Sequence, residues 1–236
     1  MTGTSLDRNR IGRAWHTRCA RVTGSGLRSL RRVRRKPRSL LLEAILPASI
    51  RNIHLRDEQW AMRFHETNIP GVFEVQVEPV NDERGFFART WCRDELRSHG
   101  LNPELVQCSI SYNTRKGTLR GLHFQAAPYQ ETKLVRCTRG AIYDVVLDLR
   151  VDSPAYKHWT AATLSAADRN MFYIPEGCAH GFLTLEDHTE VFYQMSQVYN
   201  AESARGVRWN DTAFAIRWPA GVEVISERDR TFPDFL

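Results

Sequence analysis

"KLVRCTRGAIYDVVLDLR", residues 133–150, reads as strand, turn and strand, with the turn at Arg139–Gly140. In its second half Tyr143, Val145, Leu147 and Leu149 fall on one face, and Ile142, Asp144, Val146 and Asp148 on the other. Working outward, "GVFEVQVEPV" (71–80) alternates with the same period: Val72, Glu74, Gln76 and Glu78 oppose Phe73, Val75 and Val77. "TEVFYQMSQVYN" (189–200) is a further strand. "RDELRSHGL" (93–101) is a short helix closed by Gly100. Many short strands, few helices and no βαβ rhythm predict an all-β antiparallel sandwich or barrel. There is no internal repeat, and the only biased tract is a basic run near the start.

The 236 residues suit one large domain or two small ones, and 42% hydrophobic residues are enough for a sizeable core. No apolar run approaches the roughly 20 residues that span a bilayer. The longest, "SLLLEAILPASI" (39–50), is short and carries Glu43 and Pro47. Five cysteines, an odd number without CxxC spacing, argue against a disulfide framework or a zinc finger. Reduced thiols and a cytoplasmic location are therefore expected.

Charge is unevenly spread. Residues 1–61 hold thirteen arginines and one lysine against four acidic residues, +10, while residues 62–236 carry −4. The pI of 9.3 thus says nothing of a basic face on the later part, for which neither a nucleic-acid partner nor a membrane is expected. "RSLRRVRRKPRS" (28–39) fits an anionic partner or an Arg-rich transit peptide. A blander reading is preferred. Strand pattern begins at once after Met62, so residues 1–61 read as a basic, largely disordered extension from a mis-assigned upstream start, with a stray helix around Leu40 to Leu46. The domain is expected over 62–236.

"GTLRGLHFQ" (117–125) places Arg120 and His123 in a strand-like stretch. A core histidine held by hydrogen bonds and a proton-transfer base are both open here. Simple parity puts Arg120 and His123 on opposite faces, so both reach one lumen only if the strand bulges, and Gly121 is the obvious place. "IPEGCAHGF" (174–182) resembles the second motif of the cupins, small double-stranded β-helix barrels whose motif histidine is often a metal ligand. The earlier position offers only His123–Phe124–Gln125 instead of His–x–His. His123 and His180 are too few for a divalent site, which takes three or four protein ligands. No metal is expected.

Residues 62–236 resemble the dTDP-4-dehydrorhamnose 3,5-epimerase family of cupin-type nucleotide-sugar epimerases. The matching stretches occur in order: "DERGFF" (82–87), "LRGLHFQ" (119–125), "KLVRCTRGAIYDVVLDLR", "IPEGCAHGF", "VFYQ" (191–194), "RGVRWND" (205–211) and "ISERD" (225–229). The resemblance implies a cupin jelly-roll barrel, an obligate homodimer, no cofactor, and inversion of C3 and C5 of a 4-keto sugar on a nucleoside diphosphate. Protons beside a carbonyl are acidic because the carbanion delocalises as an enolate. The reaction needs a base on one face, an acid on the other and a partner for the enolate oxygen. By resemblance His123 is the base, Asp229 orients it, Tyr193 is the opposing acid and Lys133 meets the C4 oxygen. Without it, Asp229 would read as a solvated loop acid, Tyr193 as a half-buried strand tyrosine and Lys133 as a strand-edge lysine.

Arg84, Gln107, Arg120 and His180 match the family's substrate-holding positions, and arginine forks suit a diphosphate. Arg89 stands where the family has a glutamate, "QCS" (107–109) replaces "QDN" and so brings in Ser109, Ala204 replaces a second glutamate, and Arg228 a lysine. These departures fall among expected substrate contacts and leave open the sugar, the nucleotide and the number of centres inverted. Rival readings are a 3,4-ketoisomerase of the same fold, a metal-dependent cupin oxygenase and a non-catalytic sugar-binding cupin. Tyr193 together with the His123–Asp229 pair speaks against the first, and the missing His–x–His against the second.

Overall fold

The computed structural model describes residues 61–235. The basic extension up to residue 60, the helix expected around Leu40 to Leu46 and Cys19 lie outside them. In chain order the described elements are β1 (Arg63–Glu66), β2 (Phe73–Gln76), β3 (Val80–Asp82), β4 (Gly85–Phe87), α1 (Arg93–Ser98), β5 (Gln107–Asn113), β6 (Thr118–Gln125), β7 (Lys133–Arg139) and β8 (Ala141–Asp148). There follow β9 (Trp159–Ser165), β10 (Met171–Ile174), β11 (Cys178–Thr184), β12 (Thr189–Met195), β13 (Ala204–Gly206), β14 (Val224–Ile225) and α2 (Glu227–Arg230).

The strands form two large sheets. One runs β1-β2-β10-β7-β12-β5; the other runs β13-β6-β11-β8-β9, with β14 alongside β6. β3 and β4 pair only with each other. The strand–turn–strand stretch forms as read, but its halves do not pair. β7 lies between β10 and β12, whereas β8 lies between β11 and β9, so the turn at Gly140 carries the chain from one sheet to the other. β10, β11 and β12 repeat that alternation, which makes a jelly-roll barrel rather than a stack of hairpins.

The alternation in β8 explains why it can sit centrally. Ile142 and Val146 join Val135, Cys137, Phe172, Ile174, Phe182 and Val191 in the core between the sheets. Val145 and Leu147 face the other way, against Leu122, Ala179, Val207 and Phe214. Phe172 and Phe182 are 1% and 0% exposed, and truncating such a side chain to alanine costs about 3–5 kcal/mol. The outer face of the first sheet buries Val75, Val77, Leu134 and Met171 under Leu96 and Leu101. α1 ends as expected: Gly100 takes φ 71°, its N–H donates to Arg97 C=O at 3.0 Å, and Leu101 N–H donates to Leu96 C=O at 2.9 Å. That paired closure brings Leu96 and Leu101 together on the same cluster. Among the described residues no helix is long and apolar enough to cross a membrane.

Candidate active site

β6 carries the residues that raise the chemical question, and it is irregular there. His123 lies opposite His180 of β11, and Arg120 opposite Phe182. Two residues of β6, Gly121 and Leu122, therefore face the single residue Gly181, which is a bulge. The extra residue cancels the parity difference, and Arg120 and His123 open onto one cavity. Glycine is required at the bulge. Gly121 has φ 126°, and a Cβ there would lie 2.5 Å from the Cα of Gly181.

The bulge also holds a carboxylate. Asp229, 4% exposed, lies in α2, where its backbone N–H donates to the hydroxyl of Ser226 at 3.1 Å. Gly121 N–H donates to Asp229 Oδ2 at 3.1 Å, and His123 Nε2 lies 2.7 Å from Asp229 Oδ1. Burial alone would raise the Asp229 carboxyl. The hydrogen bond and charge of His123, with Gly121 and Ser226, outweigh it and hold the group below the usual carboxylate value. An anionic Asp229 accepts from Nε2–H, so a neutral His123 keeps its lone pair on Nδ1.

Three more polar groups share the cavity. Lys133, 7% exposed, donates from Nζ to His123 C=O at 3.2 Å and lies 3.1 Å from Glu131 Oε1. His180 Nε2 lies 2.6 Å from Asp144 Oδ1 in a fully enclosed pair. Burial raises the Asp144 carboxyl, with His180 and Lys133 acting against it. Tyr193 packs edge-on to His180, with ring centroids 5.9 Å apart. Its phenol is pushed well above the ordinary value of about 10, first by burial and then by the charge of Asp144, with Arg120 opposing, so it keeps its proton. The cavity encloses about 490 Å³ between the sheets, with Gln107, Ser109, Met195 and Tyr199 completing its wall and rim. His123 stands on one sheet, through β6, and the Tyr193 phenol on the other, through β12.

The family model described as dTDP-4-dehydrorhamnose 3,5-epimerase matches residues 66–236. The chain belongs to that family. The enzyme of that name from Methanothermobacter thermautotrophicus is 42% identical over 173 residues, 72% of this chain and 92% of the relative. The one from Sinorhizobium fredii is 40% identical over 173 residues, 73% of this chain and 89% of the relative. A crystal structure of the Bacillus anthracis enzyme with TDP and pyrophosphate bound superposes with TM-score 0.72 at 41% identity, covering 74% of this chain and all of that one. Membership makes the protein an isomerase-class epimerase with the cupin fold.

Within this family member the expected site residues separate into two groups. His123, Lys133, Arg120, His180, Tyr193, Gln107 and Ser109 line the cavity, and Asp229 stands directly behind His123. Arg228 lines a second cavity of about 420 Å³ that meets the first at Arg120 and His123. Arg84 and Arg89 do not line either cavity. Arg84 sits in the β3–β4 turn, paired with Asp82, its side chain 85% exposed. Arg89 pairs with Glu95 of α1. Of the departures from the family pattern, Cys108 faces away from the cavity between Gln107 and Ser109, and Ala204 pairs with Gln125 at the sheet edge. Glu131 went unnoticed in the sequence. It lies two residues before β7 begins, outside the strand whose period-two pattern was read.

Among the described residues no group of three or more His, Cys, Asp or Glu is placed to hold a metal ion. His123 and His180 each give Nε2 to a carboxylate instead. The described cysteines, Cys92, Cys108, Cys137 and Cys178, are free. Burial pushes the Cys137 and Cys178 thiols up to about 12, which makes them inert packing groups.

Proposed function

We propose that this epimerase inverts C3, C5 or both of a nucleoside-diphosphate 4-keto-6-deoxy sugar, as in the step from dTDP-4-dehydro-6-deoxyglucose to dTDP-4-dehydrorhamnose. One observation carries the reading: His123 and Tyr193 project into one cavity from opposite sheets, so a sugar ring between them meets a base on one face and an acid on the other. His123 Nδ1 removes the proton beside the C4 carbonyl, and the electrons pass into an enolate. Lys133 donates to the enolate oxygen, Tyr193 returns a proton from the far side, and Asp229 balances the imidazolium. Arg120, with Arg228 beside it in the second cavity, suits the diphosphate, and His180, Gln107 and Ser109 hold the sugar and nucleoside. Bound TDP in the Bacillus anthracis relative supports a thymidine nucleotide.

The test is isotopic. In deuterium oxide, after exhaustive chelation, the protein should place deuterium at C3 or C5 of dTDP-4-dehydro-6-deoxyglucose, read by NMR. Activity lost to the chelator and restored by one divalent metal would overturn the metal-free scheme. No incorporation with any nucleoside diphosphate form would overturn the epimerase reading itself.

The free cysteines support a reducing compartment and hence the cytoplasm. A homodimer is supported by what one chain leaves uncovered. β5 is a sheet edge carrying Ile110 at 62% exposed, and Phe86 and Phe87 of the β3–β4 ribbon are 47% and 66% exposed. Arg84 on that ribbon is free of its own cavity. The active unit is residues 62–236. A chain beginning at Met62 should stay soluble, run at twice its monomer mass in sedimentation and keep wild-type turnover. Loss of folding or activity on that truncation would refute the boundary.

A further inference from the structure

Glu131 stands inside the cavity with no part in the scheme above. Its side chain is 8% exposed and that of Lys133 9%, and Oε1 and Nζ are 3.1 Å apart. The second oxygen, Oε2, accepts from Gln125 Nε2 at 3.1 Å. Desolvating two charges costs about as much as, or more than, their attraction returns, so such a pair is a poor device for stability alone. Its geometry has a consequence for Lys133. The ammonium has three N–H groups. One is directed at His123 C=O, 3.2 Å away, while Glu131 Oε1 stands beside the ammonium as an ion-pair partner rather than a directed acceptor. The hydrogen bond sets one N–H direction and the ion pair sets where Nζ sits, and a lysine on its flexible four-carbon stem would otherwise lack that definition. Held there, the ammonium keeps N–H groups to turn toward a substrate oxygen in the cavity.

Resting on the enolate reading, we propose that Glu131 is a positioning residue that acts through Lys133, holding the ammonium as an aimed donor to the C4 oxygen and supplying the counter-charge that lets it remain in the closed site. The competing role is structural. Gln125, which donates to Glu131, also donates to Tyr129 C=O at 3.0 Å and accepts from Asn200 N–H at 2.6 Å, so Glu131 could serve only to pin the loop before β7. The two roles differ in whether the effect of losing Glu131 depends on Lys133.

A double-mutant cycle separates them. The full chain is compared as wild type, Glu131→Gln, Lys133→Met and the double variant, reading kcat, KM and the thermal midpoint. Glu131→Gln should lower kcat about 10- to 100-fold, as misplacement of a catalytic group does, with KM within about threefold of wild type. Lys133→Met should lower kcat about 10²- to 10³-fold. The double variant should be no slower than Lys133→Met alone, within about threefold. Losses that multiply, or an unchanged kcat in Glu131→Gln or in Lys133→Met, would overturn the proposal. Should Glu131→Gln fail to fold, Glu131→Asp carries the same comparison, because it keeps the charge while withdrawing the oxygen from Nζ. Failure of the epimerase reading would show separately, as wild-type protein that exchanges no deuterium.

Discussion

His123→Asn is expected to abolish both epimerisation and solvent deuterium exchange. Asparagine keeps part of the shape, but its amide ends at the ring's δ positions, short of the Nε2 that meets Asp229, and it offers no nitrogen basic enough to take a carbon-bound proton at neutral pH. A well-placed general base contributes about 10² to 10⁴ in rate. The barrel should survive, since His123 is partly exposed at the cavity wall while the core packs around Phe172 and Phe182. An unchanged thermal midpoint together with lost exchange is therefore the expected pair of results. Exchange at near wild-type rate in this variant would mean that another residue is the base.

Tyr193→Phe should split the two signals. The substitution removes one hydroxyl and leaves the ring against His180. Net inversion should fall at least about 10²-fold, in line with the loss of a general acid. Exchange should continue, because His123 can still abstract a proton and return a solvent-derived one to the same face. The measurement is the ratio of deuterium incorporated to product inverted. Loss of both signals in equal measure from a folded protein would remove Tyr193 from the acid's role. The fixed phenol suits that role: burial keeps it protonated, and the acceptor carbon of an enolate is basic enough to take the proton.

What could be read from the sequence depended on the range of the interaction that sets each feature. Faces within a strand are local, so the two sides of β8 and the closing Gly100 of α1 followed directly from period and composition. The bulge at Gly121 was legible for a chemical reason: Arg120 and His123 share one face only if a residue is inserted, and only glycine tolerates the conformation. Sheet membership was not local. The same "CTRGAIY" could close a hairpin or cross between sheets, and the choice rests on distant partners in β10, β11 and β12, such as Val191 opposite Cys137 and Thr184 opposite Ile142. Asp229 looked like a solvated acid because charged neighbours surround it in sequence, whereas in space it is buried against β6. Arg84 was grouped with the cavity on its motif, and the fold of one chain leaves it on the ribbon.

The contact between His123 and Asp229 spans 106 residues of chain. Closing a loop of that length costs about 4 kcal/mol in chain entropy, which a single hydrogen bond does not offset. The pair therefore depends on the parallel β14–β6 pairing and the contacts of α2 with β6, which bring Asp229 to the strand. Turnover thus doubles as a clock for folding. On the proposed scheme, sheets that have assembled without that pairing hold a histidine but no partner to orient it, and so have no working base.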